Sequence, residues 1–249
     1  MSDADRVDHS RRSLLVTGAL AGFAVAASAF SRSAFADSPP AKIGIIGSGH
    51  IGSTIGSLWV KSGHPVMFSS RHPDELASLV QGLGSLAKSG TVGDAIEFGD
   101  VIFIAVPYAA YPQIGKDYGS KLAGKVVLDA GNAVERRDGS ELTAEAKEEG
   151  IGITSAKYLP GARIVRAFNS MAYKYFASEA NRAGDRMAIP IAGDDKDALA
   201  IASTLVHDAG FDPVVIGPLA RAKEFAQGEP LYGVQLTAAQ MRQKADALK

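Results

Sequence analysis

The chain has 249 residues, 26 basic and 27 acidic side chains, a net charge of −1 and no cysteine. That length holds one domain, or one with a small appendage. The near-neutral balance gives no footing for nucleic-acid or polybasic membrane binding. The missing cysteines exclude disulfides, thiolate-held iron–sulfur clusters and a Cys nucleophile.

The first stretch reads as an address. Ser10-Arg11-Arg12-Ser13-Leu14-Leu15 is a twin-arginine pattern, an uncharged apolar run continues to Phe30, and Ala34-Phe35-Ala36 precedes Asp37 as an Ala-x-Ala cleavage site. The expectation is a signal peptide over residues 1–36, read by the twin-arginine export machinery and cleaved after Ala36. A periplasmic protein of about 213 residues would remain. The alternative is a membrane anchor, because the apolar run is nearly long enough to span a bilayer. Four Arg and three Asp leave with the leader, so the remainder stays near neutral.

After the leader, Ile43, Ile45 and Ile46 predict a short buried strand, and Ser53 to Lys61 a helix. Between them Gly47, Gly49 and Gly52 stand in Gly-x-Gly-x-x-Gly spacing, with Ser48, His50 and Ile51 in the intervening positions. In a dinucleotide site the first glycine makes the tight turn. The second lets the backbone approach a pyrophosphate, and the third lets helix pack on strand. The helix N-terminus supplies free N–H groups and a partial positive charge. The second strand, His64 to Phe68, ends in Ser69-Ser70-Arg71, where an NAD site carries an acid for the ribose hydroxyls. Hydroxyls and a guanidinium would accept the 2′-phosphate that a carboxylate repels, so NADP(H) is the expected cofactor.

Strand and helix then alternate. A helix is predicted over Pro73 to Gln81, a short strand hidden in the Gly/Ser-rich stretch 82–90, and a helix over Thr91 to Gly99. Asp100 to Pro107 is the strongest strand signal, a continuous apolar run as in a strand buried on both faces. Tyr108 to Leu122 reads as a helix despite Pro112, Gly124 to Asp129 as a strand, Gly131 to Gly139 as a loop, and Ser140 to Glu149 as a helix capped by Ser140. A strand over Arg163 to Phe168, a helix over Met171 to Ala180, strands at Met187 to Ala192 and Pro213 to Ile216 around a helix at Lys196 to Ala209, and a final amphipathic helix from Thr237 complete the series.

This alternation predicts an α/β fold, a doubly wound Rossmann sheet, with the dinucleotide-binding domain over residues 37–170 and a small C-terminal α/β extension over residues 171–249. In such a sheet ligands lie outside the carboxyl ends of the strands. That rule selects Ser69 to Arg71, Ala105 to Tyr108, Ala130 to Asn132 and Phe168 to Met171. Val106 and Pro107 would line the dinucleotide through their backbone. Asn132 and Asn169 could bond a carboxamide or an acceptor ring, or simply cap helices. The five His are scattered, without carboxylates at ligand spacing, so no metal site is predicted. There is no Gly-x-Ser-x-Gly elbow and no Tyr-x-x-x-Lys pair.

Five ordered motifs carry a resemblance over essentially the whole chain after the leader: Ile45 to Gly52, Phe68 to Arg71, Leu159 to Ser170, Ile191 to Asp195, and Gly217 to Leu219. In them the chain resembles the NADPH:coenzyme F420 oxidoreductase family and is similar to the cytoplasmic domain of the STEAP metalloreductases. The resemblance implies NADP held by the Ser–Arg pair, contacts from Ala167, Phe168 and Asn169, and hydride transfer to a flavin-like or deazaflavin small-molecule acceptor, with a metal as a further relay. Deazaflavin-using members carry His where this chain has Asn169, and the Ala-Phe-Asn form is more similar to the metalloreductase branch. Such a transfer needs no strong protein acid, because the cofactors carry the chemistry. Two other readings stay open: a non-catalytic NADP-binding redox module, and a hydroxyacid or imine reductase. A second copy of the chain is a candidate partner.

Overall fold

A computed structural model describes residues 40–249; the expected signal peptide and cleavage site lie outside the described residues. The first unit is Ile43–Ile46 (β1), His50–Lys61 (α1) and Val66–Ser69 (β2). Ala77–Leu83 (α2) and Ala87–Gly90 (β3), the strand expected within the Gly/Ser stretch, come next. Val92–Phe98 (α3) starts at Thr91, whose side chain and that of Asp94 form a reciprocal capping box. Val101–Ile104 (β4), Tyr111–Leu122 (α4) and Val126–Asp129 (β5) follow. Pro112 is accommodated because it falls in the first turn of α4, where no N–H is needed.

Between β5 and the next strand, Arg163–Arg166 (β6), lie three helices: Glu135–Asp138 (α5), Ser140–Glu148 (α6) and Ile151–Tyr158 (α7). Two expectations fail here, and one helix has no counterpart among the predicted elements. The segment 131–139 is not all loop, because the Asp138 carboxylate accepts from Val134 N at 2.8 Å and closes the single turn of α5. Ser140 does not cap α6: it is the first helical residue, and the cap position falls to Gly139, which has no side chain to offer. The helix α7 is the unpredicted one. Tertiary contact makes it, since a Cβ at Gly152 would stand 2.5 Å from Leu219 O, and Thr154 and Ser155 bond the Tyr108 hydroxyl at 2.6 and 3.1 Å.

Tyr173–Glu179 (α8), Ala188–Gly193 (β7), Lys196–Asp208 (α9), Asp212–Gly217 (β8), a 3₁₀ stretch over Leu219–Phe225 and Ala238–Asp246 (α10) complete the chain. The eight strands form one sheet in the order β3-β2-β1-β4-β5-β6-β7-β8. All neighbours are parallel except β6 and β7, which pair antiparallel through Val165 with Gly193 and Arg166 with Ala192. The part after residue 170 therefore extends the same sheet, and residues 40–249 form one compact unit.

Alternation along the strands separates two cores. Ile43, Ile45, Val101, Phe103, Val126 and Leu128 face α1 and α9, with Trp59, Phe168, Phe176 and Phe211 packed edge to face among them. Ile46, Ile102, Ile104 and Val127 face α3, α4 and α7. Gly44 has no room for a side chain, because a Cβ there would meet Ala95 O of α3 at 2.0 Å.

Candidate functional site

The chain leaves β1 toward one side of the sheet through β2 and toward the other through β4. This reversal opens a crevice at the carboxyl ends of β1 and β4. Gly47, at φ +95°, makes the turn out of β1; a Cβ there would meet Val106 Cγ1 at 2.4 Å and Ala105 O at 2.7 Å. Gly52 seats α1 against that turn, since its Cβ would stand 1.9 Å from Gly47 O. Gly49 is different: it is exposed and nothing lies within 4 Å of where its Cβ would be. It is also the N-cap of α1, with no capping side chain and no acidic residue in the first turn. The orphan N–H groups and positive dipole end therefore face open space.

At the end of β2, Ser69 is fully buried and its hydroxyl donates to Ile45 O at 2.6 Å, so its side chain serves the sheet. Its carbonyl accepts from the Ser48 hydroxyl at 3.0 Å, tying the glycine turn to β2. Ser70 Oγ accepts from His72 N at 3.1 Å, which shapes the turn after the strand. Arg71 is exposed and makes no hydrogen bond or ion pair among the described residues. Arg71 thus carries its charge unpaired two residues past Ser69, whose carbonyl the glycine turn bonds through Ser48.

Along the same strand ends runs a cleft of about 320 Å³. His50 and Ile51 of α1 line it, with Ala105, Val106 and Pro107 after β4, Ala130, Asn132, Val134 and Arg137 after β5, and Phe168 to Tyr173 in part after β6. Gln227 and Tyr232 close it from the C-terminal segment. Seven expected site residues thus meet in one place: His50, Ile51, Val106, Pro107, Asn132, Phe168 and Asn169. Gly47, Ser48, Gly49, Gly52, Ser69, Ser70, Arg71 and Ala167 are not among its lining residues.

Phe168 has φ +59° although it is not glycine. Its ring is fully buried against Trp59, Phe103, Phe176 and Phe211, which hold a conformation that costs about 1–3 kcal/mol. The next residue, Asn169, also lines the cleft. Asn169 Nδ2 donates to Phe225 O at 3.1 Å and to Asn132 Oδ1 at 3.3 Å, while Asn132 Nδ2 donates to Asn169 O at 2.7 Å. These bonds fix the amide orientation and leave Asn169 Oδ1 buried without a donor. An enclosed acceptor left without a donor is costly.

Behind the cleft, Asp129 at the end of β5 and Arg166 at the end of β6 are paired in register and fully buried. Arg166 Nη1 lies 2.6 Å from Asp129 Oδ1, which also accepts from Tyr111 OH at 2.5 Å and Gly131 N at 2.8 Å. Arg166 Nη2 donates to Gly131 O, so the pair holds the turn that presents Asn132. Burial, and then the Asp129 charge, pushes the Tyr111 hydroxyl well above the ordinary tyrosine range. This pair is not among the residues the sequence selects, nor are Val134, Arg137, Ala172, Tyr173, Gln227 and Tyr232. Tyr173 lies two residues past a selected strand end. Gln227 and Tyr232 return from some sixty residues away and carried no local signal; Gly233 N donates to Ser170 O at 2.7 Å to hold them there.

This fold and this crevice define a protein of the doubly wound Rossmann NAD(P)-binding class. Residues 42–133 match the family described as NADP oxidoreductase, coenzyme F420-dependent, which bears out the resemblance read from the motifs. The chain is 30% identical over 183 residues to metalloreductase STEAP3 of Rattus norvegicus, an alignment covering 74% of this chain and 35% of the rat protein. It therefore spans about a third of that curated relative's length. Among solved structures, a hypothetical protein of Sinorhizobium meliloti is 28% identical with a TM-score of 0.69, covering 79% of this chain and 95% of that one. An Arthrobacter protein described as an F420-dependent NADP reductase is 18% identical with a TM-score of 0.61, covering 79% and 99%, and shares the fold.

Proposed function

We propose that the chain is an NADPH-dependent oxidoreductase that passes hydride between NADP(H) and a flavin-like or deazaflavin acceptor. The observation that carries the reading is the unpaired Arg71 after Ser70, beside a glycine turn whose central residue, Gly49, has open space at its Cβ. The N–H groups at the start of α1 would hold the pyrophosphate and Arg71 the 2′-phosphate. Val106 and Pro107 would flank the dinucleotide through their backbone, and Asn132, half-buried at the cleft, would meet its carboxamide. Bound NADPH would supply the hydride. The chain's part is to align the rings in a cleft whose lining includes no carboxylate and no lysine among the described residues. The F420-dependent family description and the metalloreductase relative favour this acceptor class over a hydroxyacid or imine reductase.

Titration of NADPH and NADH tests the cofactor assignment. Wild type should prefer NADPH, and Arg71→Ala should lose about tenfold or more for NADPH alone, the scale of one charge-assisted contact. Equal losses for both nucleotides would defeat it. Steady NADPH oxidation with a flavin panel separates an enzyme from a non-catalytic module, for which binding would occur without turnover. Export rests on the leader: replacing Arg11 and Arg12 by Lys should retain the protein in the cytoplasm, and N-terminal sequencing of exported protein should begin at Asp37. Intact leader in the membrane fraction would favour the anchor.

A further inference from the structure

Arg137 is the one residue with a permanent charge among those lining the cleft. It is not a loose surface arginine. Its Nε donates to both oxygens of Asp138 at 3.1 and 3.2 Å, and its Nη2 donates to Asp138 Oδ2 at 2.8 Å and to Asn132 O at 2.5 Å. Nη1 has no partner among the described residues. The Asp138 side chain is fully covered, while that of Arg137 is 46% exposed. Val134 N and Ala109 N also donate to Asp138. Burial opposes the charge of Asp138, but these hydrogen bonds outweigh it and hold its carboxyl below the usual range. The guanidinium plane is thus set in advance with one edge free, the arrangement that receives an oxyanion with least loss of side-chain freedom.

The dinucleotide does not account for that free edge. Its phosphates would be met by the start of α1 and by Arg71, after β1 and β2, whereas Arg137 follows β5, two strands from β1 in the sheet order. Near α1, His50 and Tyr173 are stacked with ring centroids 4.3 Å apart and planes 10° apart, both lining the cleft. An exposed aromatic pair in the same cleft as a fixed cation suits a planar heterocycle with an anionic side chain.

We propose that Arg137 selects the second substrate by charge, receiving through Nη1 the phosphate or carboxylate carried by an aromatic heterocycle. This rests on the reading of the cleft as the acceptor site.

Riboflavin and FMN share one ring system and differ by a phosphate ester, so they separate charge from ring binding. Each is titrated, by flavin fluorescence, into the full-length protein saturated with NADP+, which occupies the dinucleotide's own anion sites. Wild type should bind FMN about tenfold more tightly than riboflavin at low salt, with the ratio shrinking as ionic strength rises. Arg137→Gln should bring the ratio close to one by weakening FMN, and Arg137→Lys should keep part of it. Equal affinities in wild type, binding of neither flavin, a ratio that survives Arg137→Gln, or equal weakening of both flavins would overturn the assignment. NADPH oxidation is followed separately: flavin bound with the predicted ratio but never reduced would remove the proposed reaction and leave the charge selection standing.

Discussion

Asp129 and Arg166 show how much a single pair can decide. Both are fully buried, and Asp129 Oδ2 and Arg166 Nε have no hydrogen-bond partner. Burial opposes the Arg166 charge, but Asp129 and Tyr111 more than offset it and raise its pKa further. Removing one member leaves an uncompensated charge, so Asp129→Ala should cost about 3–5 kcal/mol in urea unfolding. Replacing both by apolar residues of similar volume, Asp129→Leu with Arg166→Met, should recover most of that loss. Because Arg166 also holds Gly131 O, the stable double variant should still bind acceptor poorly. A double variant as unstable as the single one would show that the ionic attraction matters less than the shape of this site.

Among elements, the turn from β1 into α1 separates folding from binding at adjacent glycines. Gly52→Ala drives a Cβ into Gly47 O and should destabilise the protein by about 3 kcal/mol or more, since neither backbone can yield. Gly49→Val meets nothing in the protein and should leave the circular dichroism and melting curve near wild type while abolishing NADPH binding. Retained affinity in that folded variant would remove the glycine turn from the site. At the start of α9, Asp195 caps the helix through Ala198 N at 2.8 Å and makes a two-pronged bond to Arg163 of β6 at 2.8 and 2.7 Å. The Arg163 bond, then the cap, holds the Asp195 carboxyl far below the usual range. A depressed folded pKa stabilises the protein above the unfolded value, and the contribution is lost as pH falls through the folded one. Acid unfolding should therefore be less steep in Asp195→Ala than in wild type; identical pH dependence would show that the pair contributes nothing.

For the whole molecule, the question is whether the part after residue 170 is an appendage or a share of the core. The single tryptophan answers it. Trp59 of α1 packs on Phe103 and Phe168 and donates its Nε1–H to Leu205 O of α9 at 2.7 Å, so it reports contact between early and late chain. With the sheet continuous through β6 and β7, Trp59 fluorescence and far-ultraviolet circular dichroism should follow one coincident urea transition. Two separated midpoints would show that the late strands unfold on their own.

Local pattern was enough for most of the scaffold. Short continuous apolar runs and glycine spacing determined β1, β4, β5, the turn into α1 and the alternation that makes a Rossmann sheet. Ser69 to Arg71 and Asn132 were legible as strand ends by the same logic. The pattern failed where a residue's state depends on distant partners: α7 forms because Gly152 and Thr154 meet Leu219 and Tyr108, and Ser69 is buried with its hydroxyl on Ile45 O. The cleft is the clearest case. Arg137 acquires its fixed orientation from Asp138 and Asn132, and Asn169 reaches the cleft because an aromatic cluster holds Phe168 in a left-handed turn. Short-range sterics and hydrophobic periodicity are written along the chain, whereas the pairing of buried charges and the aim of polar atoms arise only when strands far apart in sequence become neighbours.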